Sequence, residues 1–354
     1  MRVLHVDTAR SWRGGQSQVL LTALGMADRG HAVLLGCQKG GALEARAKEA
    51  GVQTEAFSFT GDLSPGALLG LWGAVRRFRP DALQLHDPHA VVPGLAAAGR
   101  AVRTVATRRV DFSLRGRVSR AKYLRCHRVI AVSRRIAGVL RSGGLPAERI
   151  RVVYEGVKDR PPEPGGREIL RSLGISESAL VVGNVAALTD HKDHATLLAA
   201  AAKVIPRVPA ARFVIVGDGA LRPALEREAE RLGLSGRCLF LGFRTDLDRL
   251  IPAFDVFCLS SHMEGLGTSL LDAMCFRRPI VATAAGGVPE AVEDGRSGVL
   301  VPVRDAEALA SALADLLASA ARRAAFADAG RQLFERRFTA ARMVEETLGV
   351  LENG

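Results

Sequence analysis

Short apolar runs followed by stretches of helical period alternate along the whole chain, an order that argues for parallel sheets covered by helices. In the first half the runs lie at 3–6, 32–36, 82–86, 104–107, 129–132 and 150–154. Between the first two, residues 16–29 place Val19, Leu20, Ala23, Leu24 and Ala27 on one helical face, and Gly30 stands where such a helix stops. Residues 155–166 hold three prolines, mixed charges and no apolar face, the composition of a linker. The alternation then restarts, with strands expected at 181–186, 213–216, 238–241, 256–259, 280–283 and 299–301 and helices at 195–204, 221–232 and 269–276. Residues 306–317 and 320–351 are helical by period. Two doubly wound α/β domains joined by a hinge fit this order better than one large sheet, and 354 residues give each its own core.

The net charge of +12 is unevenly placed: residues 1–165 carry 27 Lys+Arg against 13 Asp+Glu, the remainder 22 against 24. Residues 100–141 hold 13 basic side chains, Arg108, Arg109, Arg115 and Arg117 among them, and one acid, Asp111. A solvated face and an anionic membrane or phosphorylated lipid are both consistent with that run. Nucleic acid is disfavoured, because only Phe112 and Tyr123 interleave with the charges. The five cysteines are scattered and form no C-x-x-C pair, which reads as buried thiols in a reducing compartment. With no signal-type or membrane-spanning apolar run, the expected location is cytoplasmic, at most peripheral on the inner face of the membrane.

Four segments can carry chemistry. The apolar run 256–259 leads into a Gly-flanked acid, Glu264, then Gly265, Leu266, Gly267 and Thr268 at a helix start, with Asp272 following. A parallel sheet presents a carboxylate and backbone N–H groups to an anionic ligand in this way. Asp272 is equally explained by a capping box begun at Ser269. Gly14 and Gly15 open a helix after the first strand, where a backbone can approach a phosphate or simply turn. Lys192 sits at the next domain's first strand-to-helix loop, after Ala187; a cation there is unfavourable unless an anion is close. His86, His89, Arg108 and Arg109 end two strands of the first half; the His spacing alone does not complete a metal site.

The pair Glu264 and Asp272, seven residues between them, resembles the Glu-x7-Glu signature of retaining glycosyltransferases of family 4, with Asp where Glu is usual. The resemblance runs through nearly the whole chain and is strongest over 181–302. It implies the GT-B architecture, two Rossmann-like domains facing a cleft: 1–160 for the acceptor, 161–338 for the nucleotide sugar, and 339–354 a helix returning to the first domain. It further implies hexosyl transfer with retention of configuration, from a nucleotide-diphosphate sugar (UDP-sugar expected) to a cell-envelope glycolipid or lipopolysaccharide-type acceptor. No metal or resident cofactor is implied. Glu264 and Lys192 would be catalytic. Gly14, Gly15, Ala187, Arg244, Gly265, Leu266, Gly267, Thr268 and Asp272 would hold the donor, and His86, His89, Arg108 and Arg109 the acceptor. Ala187 stands where the family has an Arg, for which Arg244 or Arg109 would substitute. An epimerase or phosphorylase of the same fold and a non-catalytic sugar-nucleotide-binding module are the rival readings.

Overall fold

A computed structural model describes residues 1–61, 64–114 and 116–353; Arg115 of the basic run lies outside them. The chain divides into two units, Met1–Lys158 with Thr339–Gly354, and Asp159–Phe338.

The first unit holds seven parallel strands: β1 (Arg2–Asp7), β2 (Ala32–Gln38), β3 (Thr54–Phe57), β4 (Ala82–Leu85), β5 (Arg103–Arg108), β6 (Arg128–Ala131) and β7 (Ile150–Val152), in the order β3-β2-β1-β4-β5-β6-β7. The order reverses between β1 and β4, so their carboxyl ends open a crevice that no crossover covers. Strand β3 was not expected: Thr54-Glu55-Ala56-Phe57 sits at the sheet edge, where three of four residues are half-exposed and no apolar run is needed. The helix Gly14–Ala27 buries Val19 and Ala23 as its period predicts, but it also buries Gln16, Gln18, Thr22 and Met26, and leaves Leu20 and Leu24 half-exposed. A second helix explains the rotated face. Ala340–Asn353 packs against it, so closely that a Cβ on Gly25 would lie 2.6 Å from Val344 Cγ2.

The expected continuous helix over 320–351 is broken into Ala320–Arg337 and Ala340–Asn353. Thr339 instead forms a parallel bridge with Val157, and the Ala340 amide donates to the Val157 carbonyl (2.8 Å). The Pro-rich segment is likewise not free chain. Glu155 pairs with Arg109, and the Gln18 amide group bonds both the N–H and the carbonyl of Gly156. On the other unit's side Asp159 pairs with Arg331, and Arg160 with Asp248 and Asp272. Of its mixed charges, Glu155, Asp159 and Arg160 are thus matched by an opposite charge.

The second unit holds β8 (Leu180–Val185), β9 (Ala211–Val216), β10 (Cys238–Phe240), β11 (Val256–Leu259), β12 (Ile280–Thr283) and β13 (Gly298–Val301), all parallel, ordered β10-β9-β8-β11-β12-β13. The switch point here lies between β8 and β11. Gly183 of β8 is required by packing, since a Cβ would sit 1.9 Å from the buried Phe254 ring. Four of the five cysteines are buried, Cys238 is half-buried, and none is bonded to another.

Candidate functional site

In the second unit the loops after β8, β9, β11 and β12 are tied together by backbone bonds. The Leu188 amide donates to Asp218 O (3.0 Å), His262 N to His191 O (3.0 Å), and Gly287 N to Glu264 O (3.1 Å). Two glycines permit this closeness: a Cβ on Gly217 (φ +139°) would stand 1.9 Å from Ala186 O, and one on Gly286 (φ +52°) 1.9 Å from Glu264 O. The convergence brings Lys192 Nζ, from the β8 loop, against Glu264 Oε2, from the β11 loop. Ser261 Oγ donates to the same Glu264 oxygen (3.1 Å), and Ser260 Oγ holds the Lys192 carbonyl (3.0 Å). Both charged side chains are mostly shielded, 18% and 13% exposed, so their attraction is little screened.

Two residues after Lys192, His194 joins a buried relay. Asn184 donates to Cys258 O (2.9 Å) and its Oδ1 lies 3.0 Å from His194 Nε2. Burial, then the Lys192 and His191 charges, push the His194 imidazole down to about 4, so at neutral pH it is uncharged. Asp193, in the left-handed region at φ +49°, caps the helix His194–Arg207 through Thr196 N (3.3 Å) and so turns the chain directly after Lys192.

The helix Thr268–Cys275 begins at Gly267 (φ +91°) with no side-chain cap, which leaves first-turn N–H groups for an anion. The capping-box reading of Ser269 and Asp272 fails, because Ser269 lies inside the helix and Asp272 in its second turn. Asp272 Oδ1 instead accepts from Arg160 Nη2 (2.9 Å). Burial raises its carboxyl and the Arg160 charge opposes that. Leu266 is fully buried and supports the loop from below, while Gly265 and Thr268 are half-exposed beside Glu264. Ala187 is half-buried at the start of the β8 loop. Arg244, a possible stand-in for the missing arginine, is held by Asp246 in a two-point pair (2.9 and 2.5 Å).

In the first unit a second polar cluster gathers at the carboxyl ends of β1, β4 and β5. Buried Asp7 accepts from Ala9 N (3.0 Å) and from Gln16 Nε2 (3.3 and 3.2 Å). Asp87 caps the helix Pro88–Ala98 and also accepts from Thr8 N (2.7 Å) and Thr8 Oγ1 (2.9 Å). Two carboxylates thus anchor the loop that delivers Gly14, exposed, and Gly15, whose Cβ would meet Arg109 Cδ at 3.7 Å. Arg109 Nε donates to Glu155 Oε1 (3.0 Å) and Nη1 to the His86 carbonyl (3.0 Å).

Two of the residues expected to contact the acceptor are buried. Arg108 is buried, its guanidinium bonded to the Phe112 carbonyl and to Tyr123 Oη (3.3 Å), because strand alternation turns it to the face opposite Arg109. His86 is also buried: its Nδ1 lies 3.3 Å from Arg109 Nη2 and its Nε2 3.0 Å from His5 Nδ1, with the two rings stacked at 5.2 Å. Burial and the Arg109 charge hold both imidazoles neutral, His5 down at about 3. His86 therefore works as a strut for Arg109, while His89 remains exposed. Among the described residues no group of three or more His, Cys, Asp or Glu is placed to hold a metal ion.

Burial first, then the neighbouring Asp87 charge, push the Asp7 carboxyl up to about 6. Its folded-state value lies above the ordinary 3.8, so its stabilising contribution is complete below that value and is lost as pH rises through about 6. Asp7→Asn is therefore expected to flatten the pH dependence of stability across that window. At neutral pH it should make the chain more stable, by on the order of 3 kcal/mol. Urea unfolding on both sides of the window checks this, and an unchanged slope would exclude the assignment.

Residues 12–160 match the family described as Glycosyltransferase Family 4 and residues 166–333 the family described as Glycosyl transferases group 1. The chain is 37% identical over 193 residues to the D-inositol 3-phosphate glycosyltransferase of Corynebacterium urealyticum, a stretch that covers 51% of this chain and 46% of that protein. It is 31% identical over 179 residues to the lipopolysaccharide core biosynthesis glycosyltransferase LpsE of Rhizobium meliloti, 51% of this chain and 52% of that protein. The chain spans about half the length of these curated relatives. The crystal structure of Anabaena HepE in complex with UDP superposes with a TM-score of 0.89 over 100% of both chains at 24% identity. The fold is therefore GT-B.

Proposed function

We propose that this chain, which joins a glycosyltransferase family 4 domain to a group 1 glycosyltransferase domain, transfers a sugar from a nucleotide-diphosphate donor with retention of configuration. The observation that carries this reading is the Lys192–Glu264 pair at the switch point of the second sheet, beside an uncapped helix start. An ammonium has three N–H donors, so Lys192 can keep Glu264 and still bind a diphosphate oxygen. As the bond from the anomeric carbon to the phosphate oxygen breaks, charge builds on the leaving diphosphate, and Lys192 with the first-turn amides stabilises it. The acceptor hydroxyl forms the new bond on the same face and gives its proton to the departing phosphate oxygen. Glu264, fixed by Ser261 and Lys192, orients the donor sugar through its hydroxyls.

The relatives include a lipopolysaccharide core enzyme and one named for a phosphorylated acceptor. Together with the 27 against 13 charge balance of residues 1–165, they support an anionic envelope glycolipid or phosphorylated saccharide as acceptor. No helix among the described residues is long and apolar enough to cross a membrane.

Thermal unfolding in chelator across UDP-, GDP- and ADP-sugars tests the donor reading. One nucleotide class, UDP expected, should raise the midpoint in proportion to the logarithm of its concentration. A flat response to every class would remove the proposal. A second reading, donor binding without turnover, is favoured by Asp272, which commits Oδ1 to Arg160. It predicts stabilisation by the same donor with no nucleotide released when acceptor is added.

A further inference from the structure

We infer that the first unit carries a separate anion-binding pocket, fitted to a phosphate or phosphodiester group, at the end of its sheet remote from Asp7 and Arg109. A pocket of about 330 Å³ is lined by Leu124, Arg125, Cys126, His127, Arg128 and Arg149. Arg128 is the first residue of β6, and Arg149 ends the turn Ala147–Arg149 that leads into β7. In an all-parallel sheet these are amino-terminal ends, whereas Asp7 ends β1 and Arg109 follows β5.

Two of the pocket's three arginines, Arg128 and Arg149, are held in place and their charge is not neutralised. Arg149 donates to the Leu124 carbonyl and to Cys126 O (3.5 Å), Arg128 to His127 O (3.0 Å), and nearby Arg103 to Leu351 O (2.5 Å) and the Glu352 carbonyl. Carbonyl dipoles orient a guanidinium but leave its unit charge, and among the described residues none of these arginines pairs with a carboxylate. The His127 ring lies within the field of these charges. After burial, the charges of Arg103, Arg149 and Arg128 lower its pKa. Its Nδ1 accepts from the Thr104 amide (3.1 Å), which leaves Nε2–H as the ring's remaining donor.

Like charges gathered this closely raise the energy of the folded chain unless a counter-ion sits among them. Guanidinium groups fit phosphate oxygens bidentately, and the pocket holds a phosphate group comfortably. No stacking aromatic other than His127 lines it, which disfavours a nucleobase. Such a group comes either from a soluble phosphate or from a lipid headgroup. The inference does not rest on sugar transfer, because the pocket lies at the amino-terminal ends of β6 and β7, away from Asp7 and Arg109, and its readout is the His127 ring.

The test titrates the His127 ring by NMR in the full chain with inorganic pyrophosphate, with phosphatidylglycerol vesicles, and with phosphatidylcholine vesicles as blank. Pyrophosphate is expected to raise the His127 midpoint, since a bound anion offsets the arginine field. Arg125→Gln, which removes no side-chain bond among the described residues, and Arg125→Gln/Arg128→Gln should weaken that response, the double variant about tenfold or more. The same rise with phosphatidylglycerol assigns a lipid headgroup; a rise with pyrophosphate alone assigns a soluble phosphate. A midpoint that neither probe moves, or that moves equally in the double variant, overturns the inference.

Discussion

Replacing Lys192 by alanine will lower kcat by about 10² to 10³-fold, the range seen when one fixed donor to a developing oxyanion is removed. The ammonium pairs with Glu264, in the loop that leads into the uncapped helix start where leaving-group charge would grow, and Ala187 provides no second cation in the β8 loop. Glu264→Gln is the companion variant. It keeps an oxygen for Ser261 but loses the ion pair, so donor orientation suffers while the loop stays hydrogen-bonded. Lys192→Ala also strips a shielded carboxylate of its partner and should cost about 2 kcal/mol of stability, less than a deeply buried pair would. Rates of nucleotide release, measured at saturating donor and acceptor, separate the two effects. Wild-type turnover in Lys192→Ala would disprove the assignment of this residue.

Gly286→Ala is expected to destabilise the second unit's site strongly through a single added methyl. The residue sits at φ +52°, which costs an alanine about 1 kcal/mol, and its Cβ would lie 1.9 Å from the Glu264 carbonyl. That oxygen accepts from Gly287 N (3.1 Å), so relief of the clash must break this bond or shift Glu264 itself. Together these terms amount to roughly 3 kcal/mol, near 10 °C in Tm for a unit of this size, along with a loss of transfer activity. Gly295 supplies the control. Its φ is +72° and a Cβ would meet nothing within 4 Å, so Gly295→Ala should cost only the backbone share and leave transfer intact. Equal losses in the two variants would mean that the contact with Glu264 is not what holds the loop.

Strands β11 and β12 fall where their apolar runs predict, because a parallel strand covered on both faces needs a continuous apolar segment and little else. The edge strand β3 escapes the same reasoning for the converse cause. Arg108 and Arg109 look alike as neighbours in a basic run, yet one packs on Tyr123 and the other joins Glu155; the two-residue period of β5 was available to separate them. Asp7 carried only a weak signal, an acid closing an apolar run. Arg160 carried none, because its Pro-rich surroundings pointed to solvent while its partners lie 88 and 112 residues away.

Taken alone, the sequence determined two parallel-sheet domains, the break near residue 160, and the Gly-flanked acid of the Glu264 loop, since periodicity and turn chemistry are properties of chain neighbours. Tertiary structure decided which charges meet. Glu264 and Lys192 are 72 residues apart and come together only because β8 and β11 are adjacent in the sheet and Gly286 lets the next loop close against them. Whether a histidine is a ligand or a strut, and whether an aspartate faces a ribose or an arginine, depends on strand order and register, which local sequence does not encode.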